Sequence, residues 1–375
     1  MIKSLLIKLS IVAGFWLGLS FVAQVASAQT IELRDGTVVM QEIIEFNIDG
    51  VRVAGQDDAI SWDRIHKSSL AESDREFQQY LAEVGDPLMR IRLRLSNQDD
   101  SNLLELAKPL LTKLGGRETE CELVAATGVL FGLIREGKRE AAATVLIRCW
   151  MLERRLGRSA AEITGRSIDV NESRTWNGLQ PVWFDRKSAE QEWAQISNGL
   201  LGSVSKMKAR ELIYVASLAA VAGKLSGQSD LLERLRDAAP AWSKIIQSQQ
   251  SIAISEYGRV GQTLPTKIDD LESPLRAAAL YYKGLAGIRS DDAVEKQTAI
   301  LDLLQVPATI GQENPELSGA CLFNVIDSNV LDSNPSSIES LRKELLEDYA
   351  DTYFARILRE AAKSANGELQ SRSDR

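Results

Sequence analysis

The chain has 375 residues, 44% hydrophobic and 26% charged, with 25 Gly and 9 Pro, a balance that fits a folded globular protein and excludes collagen-like and low-complexity classes. Its single histidine, His66, removes every multi-histidine metal site and leaves the Ser-His-Asp and Cys-His nucleophile systems only one residue to draw on. A formal charge of −8 argues against nucleic acid as the main partner.

The first 28 residues have the form of a secretory signal. Lys3 and Lys8 form a positive start, Leu9 to Val22 is uncharged and mostly apolar, and Ala26-Ser27-Ala28 gives the small-x-small cleavage pattern. A chain starting at Gln29 carries 42 basic against 52 acidic residues, a net charge of −10. The expected location is exported, in the periplasm or cell envelope. A membrane tether follows only if the segment stays uncleaved, since Leu9 to Ala28 is just long enough to span a bilayer. Cys121, Cys149 and Cys321 are odd in number and lack CxxC spacing, so small buried hydrophobes are expected rather than a Cys121–Cys149 bridge.

Residues 29–66 are expected to form a small β-meander. Ile31 to Arg34, Thr37 to Phe46, Val51 to Val53 and Ile60 to Trp62 give four short strands, with turns at Asp35-Gly36 and Asn47 to Gly50. The pattern DGtvv…i…DGvrV…isW resembles SH3-like and Sm-like barrels, which implies a small barrel-like unit. His66 then falls in an exposed linker beside Arg64 and Lys67.

From about Ser73 the hydrophobic period becomes 3.6, and a helical domain is expected over 67–363, followed by a disordered tail at 364–375. Asp86-Pro87, Ser273-Pro274 and Asn314-Pro315 mark helix starts. Leu212, Val215, Ala216 and Ala219 share one face; so do Leu275, Ala278, Ala279, Tyr282, Leu285 and Ala286, and so do Leu341, Leu345, Tyr349, Tyr353 and Ile357. Met89 to Leu95 alternates as a strand would, but its Asp86-Pro87 start and its place between helical segments predict a helix.

Two helix pairs carry a further pattern. From Glu118 to Arg155, Gly137 sits at the turn and Ala142, Leu146 and Cys149 follow in the second helix, with Leu130 where a glycine is usual. From Ser273 to Pro307 there are Tyr281, Gly284 and a terminal Pro307, without the small residue expected in the second helix. These pairs resemble tetratricopeptide units. The resemblance implies a mostly α fold, an antiparallel helix-pair repeat array or α-solenoid, behind the N-terminal β-meander.

Aromatic residues concentrate between Leu156 and Gln191, where helical periodicity is weak: Trp176, Trp183 and Phe184, followed by Trp193. They either plug the groove of the array or build a ligand groove for a sugar ring or peptide. The runs GLQPVWFD, IYVASLAAVAG, AALYYKGLAGIRSDDAVEKQTAILDLLQVPA and NPELSGACLF resemble a set of exported planctomycete proteins with a signal peptide and helical repeats. That resemblance implies export and helical structure and brings no catalytic residue.

Other motifs resolve into structural signals. Gly132 to Lys138 has phosphate-loop spacing, but Arg139 replaces the magnesium-binding hydroxyl and no strand precedes it. Ser203-Val204-Ser205-Lys206 and Ser205-Lys206-Met207-Lys208 fit Ser-x-x-Lys without a following Lys-Thr-Gly. Asp327 to Glu339 fails the calcium-loop template, with Leu331 at position five, Asp332 in place of Gly and Ile338 in place of Glu. The pairs Asp57-Asp58, Asp99-Asp100, Asp269-Asp270 and Asp291-Asp292 suggest helix caps. No catalytic residue, cofactor or metal is expected. The functional expectation is an interaction or scaffold protein binding a protein or peptide of the envelope, with a glycan hydrolase or lyase using carboxylates from several helices as the alternative.

Overall fold

A computed structural model describes residues 30–69, 74–199, 201–311, 313–328, 330 and 334–373, and the side chains among them except those of 201–203 and 364–373. Residues 1–28, expected to form a secretory signal, lie outside the described residues. Of the tail expected at 364–375, only the backbone to Ser373 lies within them.

The N-terminal unit has strands β1 (Thr30–Leu33), β2 (Val38–Met40), β3 (Ile43–Asn47), β4 (Gly50–Val53) and β5 (Ile65–Ser68). They form two antiparallel sheets, ordered β2-β1-β5 and β3-β4. This differs from the expected meander in three ways. The run from Thr37 to Phe46 breaks at Gln41-Glu42, and its halves join different sheets. Ile60 to Trp62 is not a strand: Ile60 makes one bridge to Val51, and the chain then enters a 3₁₀ turn at Trp62–Arg64. His66 is in β5 rather than a linker, though exposed. The cause is Trp62, whose buried indole donates to Asn47 O at 2.7 Å and packs on Phe77 and Tyr80 at 4.9 and 5.5 Å between ring centres. The backbone turns to deliver that ring to the helices. Gly50 is required at its turn: its φ is +147°, and a Cβ would lie 2.5 Å from Ile60 O.

The helices follow as α1 (Arg75–Tyr80), α2 (Asp86–Ser96), α3 (Leu103–Leu114), α4 (Glu120–Arg135), α5 (Arg139–Leu156) and α6 (Ala160–Thr164). After an irregular stretch come α7 (Arg186–Gly199), α8 (Ala209–Val221), α9 (Ser229–Ala238), α10 (Pro240–Ala253) and α11 (Val260–Thr263). The last are α12 (Ser273–Gly287), α13 (Ala293–Ile310), α14 (Pro315–Asp327), α15 (Pro335–Glu347) and α16 (Tyr353–Ser373), so the face expected to run from Leu341 to Ile357 along one last helix is divided by a turn at 348–352. The chain is therefore mostly helical with a small N-terminal antiparallel unit. Met89 to Leu95 is helical within α2, where Leu88, Ile91 and Leu95 share the buried face. The arginines that made it alternate have partners: Arg92 pairs with buried Asp63, and Arg94 binds Asp99 and Ser101.

Helices pack mainly on neighbours one or two places along the chain: α3 on α4, α4 on α5, α8 on α10, α10 on α12, α12 on α13 and α13 on α14. Close approach needs small residues. A Cβ on Gly132 of α4 would lie 2.6 Å from Leu104 N, and one on Gly287 of α12 would lie 2.6 Å from Ala299 Cβ. Ala299 thus supplies a small residue in the second helix of that pair, which the sequence pattern reads as lacking one. Pro307 lies inside α13 rather than at its end.

One apolar cluster runs from Ile31 to Val325 and includes the inward residues of the β unit, so sheet and helices share a core. A smaller cluster joins Leu322, Leu345, Tyr349 and Ala355. The cysteines are free and buried. Burial pushes the Cys121 thiol up to about 12, helped by the Asp63 charge, and burial likewise pushes Cys149 up to about 12.

The acidic pairs divide in use. Asp292 caps α13 by accepting Val294 N–H at 2.8 Å. Asp99 instead holds Ser101 and Arg94, while Asp100 binds Arg166, whose guanidinium lies 3.7 Å from the Phe131 ring centre.

Candidate functional site

The stretch between α6 and α7 is irregular backbone laid against the helices, so its polar groups need specific partners. Tyr214 of α8 supplies two: its hydroxyl accepts Trp176 N–H at 3.1 Å and donates to Leu179 O. Trp183 Nε1 donates to Ser217 Oγ at 2.8 Å, and Trp242 Nε1 of α10 donates to Ser173 O at 2.9 Å. Trp176 also meets Phe131 edge to face at 5.4 Å.

The four candidate groove residues therefore do different things. Trp176, Trp183 and Trp193 are 8%, 4% and 7% exposed, so none offers an indole face to a sugar ring. They fill space between the irregular stretch and the helices. Trp193 shares the inner face of α7 with Ala189 and Ile196. Phe184 is half-buried, and its chain neighbour Asp185 and stacking partner Tyr353 line a cleft. The Phe184 ring lies 6.1 Å from Tyr353 in stacked orientation and 5.1 Å from Phe354 edge to face, while the Arg139 guanidinium sits 5.8 Å from its centre.

That cleft, of about 530 Å³, lies where the α4–α5 turn, the start of α7 and the start of α16 meet. Residues distant in sequence build it. Gly137, at φ +70°, leaves room for Arg356; a Cβ there would lie 1.6 Å from Arg356 Nη2. Glu140 is buried, and its Oε1 accepts the N–H groups of Phe184 and Asp185, both at 3.1 Å. Asp185 caps α7 through Lys187 N–H at 2.9 Å and Ser188 N–H at 3.2 Å, and also takes the Ser188 hydroxyl.

The carboxylates outnumber the cations. Glu136, Glu140, Asp185, Glu192 and Glu360 line it together with two cations, Lys138 and Arg356; Lys138 is paired with Glu136 at 2.6 Å, and the Lys187 charge acts on Asp185. Burial, reinforced by the Glu140 charge, raises the Glu192 carboxyl above its ordinary range. Burial opposes ionisation of Asp185 too, but the hydrogen bonds from Ser188 and Lys187 outweigh it and lower that carboxyl. Burial, then the charges of Asp185 and Glu140, raises the Tyr353 phenol.

Sequence reasoning singled out Phe184, which adjoins the cleft through Asp185 and Tyr353 without lining it, and missed the lining residues Glu140, Glu192, Tyr353 and Arg356. Tyr353 reads there as one more apolar step of the last helix, and Glu140 as an ordinary acidic residue in a first turn. Only their meeting across the fold distinguishes them. Among the described residues, no group of three or more His, Cys, Asp or Glu is placed to hold a metal ion, and no helix is long and apolar enough to cross a membrane. Comparison with protein-family models, curated proteins and solved structures finds no match to the chain.

Proposed function

We propose that the chain is an exported, non-enzymatic interaction or scaffold protein of the cell envelope. In this reading the helices form an antiparallel helix-pair array of tetratricopeptide type, fronted by an SH3-like unit, and the cleft beside Phe184 takes a cationic side chain of a protein or peptide partner. Serial packing of helices on chain neighbours supports the array. The observation that carries the function is the cleft itself, with five carboxylates against two cations and the half-buried Tyr353 ring as an apolar wall. Signal-like residues 1–28, with the resemblance to exported planctomycete repeat proteins, support the location.

A second reading, a glycan hydrolase or lyase, has one observation in its favour. A carboxyl raised by burial, Glu192, stands near a second carboxylate, Glu140, in a cleft, which is how a general acid is kept protonated beside a charged partner. Two facts favour the interaction reading instead. Glu140 already holds two backbone N–H groups, and the tryptophans are buried.

The test is site-specific photocrosslinking in cells from Gln191 on the cleft rim, with exposed Leu301 as the control position. The interaction reading expects a discrete protein adduct from Gln191 and none from Leu301. Absence of an adduct, together with oligosaccharide release from envelope material that Glu192→Gln abolishes, would replace it with the hydrolase.

A further inference from the structure

A second cleft, of about 700 Å³, has the opposite character and lies between α9, α10 and the turn leading into α11. Its charged lining is Arg236, Lys244 and Arg259 against Glu256 alone, in a protein whose overall charge is −8. Arg259 is held by Glu256 at 2.5 Å. Arg236 and Lys244 are exposed and have no ion-pair partner among the described residues. The cleft thus keeps two cations free for something else.

Its floor adds a directional donor. Gln250 is 9% exposed, and its carboxamide oxygen accepts Leu225 N–H at 3.2 Å. That bond fixes which end of the amide is which, because the NH2 end cannot face another N–H. The NH2 group is left buried without a partner. An unpaired buried donor costs about 1–3 kcal/mol, which an accepting group entering the cleft would recover. Leu225, Leu232, Pro240 and Ile254 supply apolar wall beside these groups, and Ile254 is 40% exposed.

We propose that this cleft binds an acidic peptide segment, with carboxylates on Arg236, Lys244 and the Gln250 amide, and an apolar side chain against Leu232 and Ile254. Guanidinium, ammonium and amide donors together suit a carboxylate, and the apolar wall suits a peptide better than a bare ion. This site is separate from the carboxylate-lined cleft beside Phe184, and its failure would leave the reading of that cleft intact.

Fluorescence anisotropy with a labelled hexapeptide of alternating Glu and Leu tests the assignment, with the matching Lys-Leu peptide and inorganic phosphate as comparison ligands. The Glu-Leu peptide is expected to bind the full-length protein, to weaken at high salt, and to lose about tenfold or more in affinity in the Arg236→Ala, Lys244→Ala double variant. Both positions are exposed, so the variant keeps the fold. Gln250→Met, similar in length, is expected to weaken binding several-fold. The proposal is overturned by no binding, by equal binding of the Lys-Leu peptide, by an affinity unchanged in the double variant, or by phosphate binding as tightly as the Glu-Leu peptide.

Discussion

Glu122 and Glu211 show how buried charge is used in this protein. Glu122 on α4 is almost fully buried, accepts from Nε and Nη2 of Arg148 at 2.8 and 3.0 Å, and accepts the N–H groups of Gly116, Arg117 and Glu118 at 2.8–3.2 Å. Glu211 on α8 is fully buried and holds Arg154 at 2.7 and 3.0 Å. Such carboxylates join helix to helix, and removing one leaves an arginine and several N–H groups unpaired. Glu122→Ala is expected to destabilise the protein by about 3–5 kcal/mol, measured by denaturant unfolding. Glu192 behaves differently because it gains no comparable partner. Its carboxyl is raised on folding, so the folded state takes up protons and stability falls as pH rises from the unfolded carboxyl value through the folded one. Glu192→Gln should therefore match wild-type Tm at pH below the ordinary carboxylate range and exceed it increasingly towards neutral pH. None of these roles was legible in the sequence, where an acidic residue in a helix looks the same whether it faces water or an arginine.

At the scale of elements, helix positions were largely legible, because Pro starts, caps and 3.6-residue periodicity are local signals. Pro274 sits in the first turn of α12, whereas Asp86-Pro87 marks no start: a π-helical stretch at Leu81–Gly85 joins α1 to α2, so the chain is helical without a break from Arg75 to Ser96. The β unit was less so. β5 has buried ends and exposed middle residues, with a register irregularity opposite Glu32 and Leu33, so it lacks the alternation that announces a strand. The split of Thr37 to Phe46 depends on which sheet each half joins, a choice made by long-range packing around Trp62 rather than by local pattern. Helix approach distances were also hidden. The sequence drew attention to Leu130, whereas α3 and α4 are brought together at Gly132, against backbone atoms of Leu104. Gly132→Ala is expected to destabilise by about 1–3 kcal/mol through overpacking, although alanine is the better helix former. Gly261→Ala, with nothing within 4 Å of the added carbon, should leave unfolding nearly unchanged.

Across the whole molecule the helices pack mainly on chain neighbours, and Phe184 is one of the places where mid-chain residues meet the C-terminal helix. Phe184 lies against Tyr281, Tyr353 and Phe354, so a ring in mid-chain helps hold the start of α16. Beyond it, α15 and α16 share the small cluster of Leu322, Leu345, Tyr349 and Ala355, and reach the main core through Leu341 and Phe354. Phe184→Ala should speed hydrogen exchange in the first turns of α16 and leave α4 and α5 protected, as expected of a structure whose parts open separately. Uniform acceleration across the chain would instead mean a single cooperative unit. The aromatic cluster itself was legible in the sequence, and so was its alternative as filling. What could not be read there was that the opening beside it is walled by carboxylates from residues 136 to 360.

In the proposed function this opening recognises positive charge on a partner. Calorimetric titration of a short Lys- and Arg-containing peptide into the wild-type protein and Glu192→Gln, at low and high salt, tests it most directly. Measurable binding is expected that weakens with salt and falls by about tenfold in the variant, a difference of about 1.4 kcal/mol. Binding indifferent to both salt and Glu192, or no binding at low salt, would contradict it.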